Sequence, residues 1–310
     1  MLHIAIVLSA CALVALVSGN NLPACAGAII SSRIVSRFAG TWIAIAGYSL
    51  GLMTEGHALR TAFARLMPNS SETMVMIALA TGIVVFVLAH VNRVPQSLSQ
   101  TFAAAILGIS AARHAPFDRS FTVTMLSFWV VAPFASIVLI VFLMRWSRHF
   151  AGEHDVWRTA RRIKVMLLVL SFFGAFVLGA NTMGFVYGAM PDDPRMLAML
   201  VLAIIVGSTW FSAGELRRVG QEIVAMRYSN SIVAQFSSIV LLELATLLAV
   251  PLSYTVIFTS GVYGAGFSYK SRLMTTKSAK VISRSWVMML VASFLIGYVA
   301  TAILTRRTPI

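Results

Sequence analysis

Pro95-Gln96-Ser97-Leu98-Ser99-Gln100 returns in altered form as Pro251-Leu252-Ser253-Tyr254-Thr255, and each copy has a glycine thirteen positions after its proline, Gly108 and Gly264. Each stretch cuts a long apolar run with a proline and hydroxyl side chains. The echo extends upstream: Ser18-Gly19-Asn20-Asn21-Leu22 and Leu178-Gly179-Ala180-Asn181-Thr182-Met183 each end an apolar helix in a glycine–asparagine element. From Asn20 to Pro95 is 75 positions, and from Asn181 to Pro251 is 70. Both halves therefore read in one order: apolar helix, asparagine break, long helices, then a proline and hydroxyl break before a short helix. Matched order and spacing mark an internal repeat.

The surroundings place that repeat in a membrane. Of 310 residues, 59% are hydrophobic and 11% charged, with a mean hydropathy of +0.87, whereas a soluble domain carries about 25% charged residues. At about twenty apolar residues per span, the chain accommodates roughly ten segments. Runs such as Met74–Ala89 and Phe121–Trp146 are apolar on every face, which excludes the alternating pattern of a β-barrel. The expected fold is an all-α polytopic membrane protein.

The apolar segments are Leu2–Ser18, Leu22–Ile30, Phe38–Met53, Met74–Val91, Phe102–Ser110, Phe121–Trp146, Val165–Leu178, Met196–Phe211, Ile232–Val250, Tyr254–Phe267 and Trp286–Leu304. The short ones cannot cross a bilayer and read as broken or re-entrant helices. Two amphipathic connectors, His57–Met67 and Ala213–Ser229, read as helices lying at the interface. The predicted organisation is a first transmembrane repeat over 1–147, a basic cytoplasmic loop over 148–164 and a second repeat over 165–310.

The net charge of +14 sits outside the spans. Arg145, Arg148, Arg158, Arg161, Arg162 and Lys164 form one cluster, and Lys270, Arg272, Lys277, Lys280 and Arg284 another. Flanked by apolar spans, these are cytoplasmic loops by the positive-inside rule, not a nucleic-acid surface. Leu2–Val17 lacks the basic start of a signal peptide. Cys11 and Cys25 read as packing residues, the six histidines show no metal spacing, and no nucleophile elbow or phosphate-binding loop points to an enzyme.

Irregular backbone at membrane depth is tolerated where it is buried in protein or lines a wet cavity. Paired interruptions in corresponding halves point to a transporter's midplane site. Proline at the first helical position would start a helix there, its free N–H groups and positive dipole end facing the break. Hydroxyls of Ser97, Ser99, Ser253 and Thr255, with the Gln100 amide, make two donor-rich helix starts suited to a small tetrahedral anion.

These residues resemble the inorganic phosphate transporter family, the PiT group of sodium- or proton-coupled carriers, marked by G-A-N-D-x-x-N in each half and P-x-S-T-[ST] at each hairpin. Gly19-Asn20-Asn21 and Gly179-Ala180-Asn181-Thr182 match the first motif in part, and the two proline stretches match the second. The resemblance spans about residues 14 to 304 and implies two inverted-topology repeats with re-entrant hairpins. It implies that Ser97, Ser99, Gln100, Ser253 and Thr255 donate to the anion while Asn20 and Asn181 hold the motif turns beside it. Cations would lie near the asparagine motifs, with sodium as a possible coupling ion and no other cofactor. The departures are that Asn21 and Thr182 stand where the motif aspartates would be, Ala24 and Phe185 replace the later asparagines, and Leu98 and Tyr254 replace the middle hairpin threonines.

With both aspartates gone, the cation-coupling candidates are Asn21, Thr182 and Glu243, a carboxyl within Val240-Leu241-Leu242-Glu243-Leu244-Ala245. Such a group is a functional candidate by default; it reads either as a proton carrier or as a neutral structural acid. Gln235, where many family members have glutamate, reads as a pathway liner or a packing contact. Arg93 reads as a snorkelling interfacial residue or as a residue that draws anions to the vestibule. The expected function is secondary transport of inorganic phosphate across the plasma membrane by alternating access, coupled to sodium or protons, with lipid and a second copy of the chain as partners. Sulfate is the alternative substrate, because it needs donors alone. A non-transporting scaffold or anion sensor is the alternative from another class.

Overall fold

The computed structural model describes residues 1–91, 97–148, 156–211, 228–268 and 276–307. Pro95, Gln96, Arg93, Lys270, Arg272 and nearly all of the Ala213–Ser229 connector lie outside them.

The described chain is helical. In order it forms α1 (Leu2–Ser31), α2 (Arg37–Leu66), α3 (Glu72–Val91), α4 (Leu98–Ala112), α5 (Arg119–Arg148) and α6 (Val156–Leu178). A π-helical turn at Gly179–Met183 follows, then α7 (Gly184–Tyr187), α8 (Pro194–Trp210), α9 (Tyr228–Leu247), α10 (Tyr254–Ser268) and α11 (Thr276–Arg307). Among the described residues, five stretches are long and apolar enough to cross a membrane: Leu2–Ser31, Glu72–Ala89, Arg119–Trp146, Trp157–Tyr187 and Ser283–Thr305. Outward faces of α5 and α11, including Val130, Phe134, Val138, Leu295 and Val299, are exposed and apolar, as a lipid-facing surface must be.

The helices pack as two sets that exchange roles. α2 lies on α6 as α8 lies on α1; α3 lies on α1 as α9 lies on α6; α4 lies on α11 as α10 lies on α5. The glycines found at matched spacing explain the last pair. A Cβ at Gly108 of α4 would collide with the carbonyl oxygen of Phe294 in α11, and one at Gly264 of α10 would stand 3.0 Å from Ile137 Cα in α5. Each short helix thus presses its backbone directly onto the last helix of the other half, the close approach that small residues permit in membranes.

The structure corrects three expectations. The first asparagine element is no break: α1 runs unbroken through Asn20, Asn21 and Pro23, so Leu22–Ile30 is not a separate piece. A helix in apolar surroundings keeps its backbone groups bonded within itself when nothing else satisfies them. Likewise His57–Met67 is no interfacial connector, because His57–Leu66 is the last part of α2, buried there at Leu59, Ala62, Phe63 and Leu66. Pro251 is not at the first position of α10, which begins at Tyr254 with Ser253 as its cap. Arg158, Arg161, Arg162 and Lys164 ride on the first turns of α6.

Gly108→Ala and Gly264→Ala each force a methyl into a backbone contact, at a cost of about 1–3 kcal/mol. Both variants are expected to lower the thermal unfolding midpoint in detergent; unchanged midpoints would show that these contacts are loose.

Candidate functional site

Both hairpin helices begin in the same way. Ser97 Oγ accepts from Gln100 N at 3.3 Å, and Ser253 Oγ accepts from Val256 N at 3.2 Å. A capping serine satisfies one of the orphan N–H groups of a helix start. Its own hydroxyl proton remains available, and the first two N–H groups of each helix have no intrahelical acceptor. Ser97, Ser99, Gln100 and Ser253 are buried, and Thr255 is half-buried. The donor-rich starts read from the sequence therefore exist, with serine caps in place of prolines at their first turn.

What the sequence did not show is how these starts are held. Ser99 Oγ donates to Thr182 Oγ1 at 3.1 Å, so the first hairpin meets the π-helical turn of the second half. Thr255 Oγ1 donates to Asn21 Oδ1 at 3.3 Å, so the second hairpin meets α1 of the first half. The two positions that replace the motif aspartates are thus each joined to a hydroxyl of the opposite half's hairpin. The four residues are neutral, and each pair offers hydroxyl or amide dipoles where the motif would place a charge.

Asn181 clamps the interruption between α9 and α10. Its Nδ2 donates to Thr246 Oγ1 and to the Val250 carbonyl, both at 3.0 Å, while its Oδ1 accepts from Leu252 N at 2.9 Å. The side chain is fully buried. The π turn, with its wider pitch, carries it, and such bulges recur at functional sites. α9 itself ends in a Schellman pattern: Val250 N donates to the Ala245 carbonyl at 2.7 Å and Ala249 N to the Thr246 carbonyl at 2.9 Å, with Ala249 at φ 55°. Trp129 Nε1 from α5 closes the turn on the Pro251 carbonyl at 2.8 Å. Trp129 and Thr246 drew no attention in the sequence, since each acts through a partner remote in the chain.

Asn20 does otherwise. It lines an apolar cavity of about 250 Å³ with Leu16, Phe86, Val87 and Phe211, and with α1 helical there it holds no turn. Beneath the site lies a buried group in which Tyr48 Oη donates to Cys25 Sγ at 3.6 Å and Gln235 Nε2 to the Cys25 carbonyl at 3.5 Å. At one end of α2, the Tyr187 phenol donates to Asp192 Oδ1 at 2.6 Å and, followed by Arg60 and His57, holds that exposed carboxyl below the usual carboxylate range. Glu243 faces Glu55, a residue the sequence reading passed over because it falls where the apolar run of α2 ends.

Known proteins are similar to this chain in sequence and in fold. A protein of Methanocaldococcus jannaschii named as a phosphate permease is 22% identical over 235 residues, covering 74% of this chain and 76% of that protein. The sulfate permease CysP of Bacillus subtilis is 21% identical over 265 residues, covering 81% and 73%. A solved structure titled the sodium-dependent phosphate transporter superposes with a TM-score of 0.86 over 99% of this chain and 100% of that one, at 14% identity, which shows a common fold. Residues 153–297 match the phosphate transporter family, a family of carriers and not of enzymes. Over those residues the chain matches the phosphate transporter family, and over its whole length it shares the fold of the solved transporter.

Proposed function

We propose that the chain carries inorganic phosphate across the plasma membrane as a secondary transporter, by alternating access between two inverted halves around the hairpin starts. The observation that carries this reading is the crossed pairing Ser99–Thr182 and Thr255–Asn21. It sets two serine-capped helix starts, each with free N–H groups, at the seam between the halves. Positive helix ends and hydroxyls are the donors that a tetrahedral oxyanion requires. A site shared between repeats that exchange packing roles is what a rocking mechanism uses. Lipid and a second copy of the chain are the partners of this reading. Ser97, Ser99, Gln100, Ser253 and Thr255 are its anion donors and Asn181 its hairpin clamp, while Asn20, turned to an apolar cavity, is set aside.

Sulfate is the second reading, favoured by one feature. Among the described residues, the side chains gathered at the hairpin starts are neutral, so the proton of hydrogen phosphate meets amide and hydroxyl oxygens and none of these is a carboxylate, while sulfate needs donors alone. Coupling follows the same logic. Asn21 and Thr182 offer oxygens to sodium without neutralising its charge, which leaves proton coupling through Glu243 as the stronger route.

Labelled phosphate uptake into proteoliposomes tests the function. Ser99→Ala and Thr255→Ala are each expected to cut uptake about tenfold, the loss of one hydrogen bond to a charged group. Uptake unaffected by either substitution would remove the site. Excess sulfate distinguishes the substrates: no inhibition eliminates the sulfate reading. Converting Asn21 and Thr182 together to aspartate restores two negative charges, and uptake is expected to become stimulated by sodium. An unchanged sodium response would show that the missing aspartates do not set the coupling.

A further inference from the structure

Glu55 on α2 and Glu243 on α9 bring two carboxyl groups to hydrogen-bond range of each other, across a contact between those helices. Oε2 of each is closed off from solvent and receives no N–H or O–H from another described residue. A carboxylate so placed is ordinarily hydrogen-bonded to donors or paired with a cation. Both residues are half-buried, and among the described residues Glu55 is the side chain that meets the Glu243 carboxyl; a hydrogen bond between two carboxyls exists only when one of them holds a proton. Both ionised, at this separation and with the exposed apolar side chains of Met53 and Leu244 beside them, would be strongly repelled.

Among the described residues, other ionisable groups on the elements around this pair lie apart from it: Arg37 opens α2, Arg65 near its end covers the Phe121 ring, and Arg195 opens α8. Cys25 of α1, Tyr48 of α2 and Tyr254 of α10 interact with one another. His57, Arg60, Tyr187 and Asp192 gather at one end of α2. Arg158 to Lys164 lie on the opening turns of α6, and Arg119 and Arg145 near the ends of α5. Among the described residues, the charged side chain that meets Glu243 is Glu55.

We propose that Glu55 and Glu243 hold one proton between them, and that its release and return couple a proton to movement of the second hairpin. The position supports coupling. Glu243 is one turn from Thr246, which accepts from Asn181, and Glu55 adjoins Gly56, whose backbone abuts Gly184 just after the π turn. The pair therefore ties α2 to the first arm of the second hairpin, on either side of the turn that carries Asn181 and Thr182. With the proton bound, the two helices are joined by a hydrogen bond; without it they repel, and the hairpin loosens from α2. This inference rests on the transport reading for the coupling, though not for the proton site itself.

Two measurements on the full chain in lipid vesicles separate these parts, using Glu55→Gln and Glu243→Gln. Infrared titration without any anion reads the pair directly. At neutral pH the wild type is expected to keep a protonated-carboxyl C=O band that each single variant removes, because the remaining carboxyl then ionises without a like-charged neighbour. Absence of the band in the wild type, or its survival in both variants, overturns the proton site. For transport, an inward gradient of about one pH unit drives about tenfold accumulation of labelled phosphate per proton carried. That accumulation is expected in the wild type and lost in both variants, while exchange of labelled for unlabelled phosphate at equal pH survives. Accumulation that follows the gradient unchanged in both variants overturns the coupling role. A wild type that exchanges no phosphate at all defeats the transport reading, and the infrared result still decides the pair.

Discussion

Peptide groups at membrane depth must find hydrogen-bond partners inside the protein, and the interruption between α9 and α10 is a described place where a helix does not supply them. Asn181 meets this need with one side chain. By donating twice and accepting once, it replaces partners that a continuous helix would have supplied. Trp129 contributes a further bond from α5. With the interruption fixed in this way, Ser253 can cap α10 and Thr255 can reach Asn21. Break, cap and crossing contact form a sequence of dependencies, and the serine-capped helix start is its product.

The crossed contacts give the fold its functional character. Each hairpin is bonded to a helix of the opposite half, and each short helix is pressed by a glycine onto the last helix of the opposite half. A rearrangement of one half against the other must therefore pass through the hairpin starts. The bonds at the crossing are single and neutral, worth about 0.5–1.5 kcal/mol each, weak enough to exchange for bonds to an anion. Carboxylates at those positions would bind cations at the crossing itself. The acidic side chains Glu55 and Glu243 stand instead at the α2–α9 seam.

Much of the site was legible because it lies in short contiguous motifs. The hydroxyl residues after each proline, the glycines thirteen positions later and the second asparagine element were all found from spacing, and each has a physical partner in the structure. The errors have a common cause. Asn20-Asn21 resembled Asn181-Thr182 in composition, but helix α1 stays continuous there while α6 gives way to a π turn, and residue type alone does not distinguish the two. His57–Met67 looked interfacial because it is amphipathic, yet the packed neighbours of α2 bury its apolar side. Glu55 was missed for the same reason, since a boundary drawn by hydropathy fell just before it.

The amino-acid sequence by itself determined that the chain is a helical membrane protein, because hydrophobic run length is a local property that solvent and backbone sterics read directly. Only the tertiary structure decided which polar groups meet. Ser99 with Thr182 and Thr255 with Asn21 lie 83 and 234 positions apart, and Glu55 with Glu243 join helices from different halves. In a bilayer, where apolar faces are all alike, such pairings are set by close packing between helices, and packing has no signature along the chain.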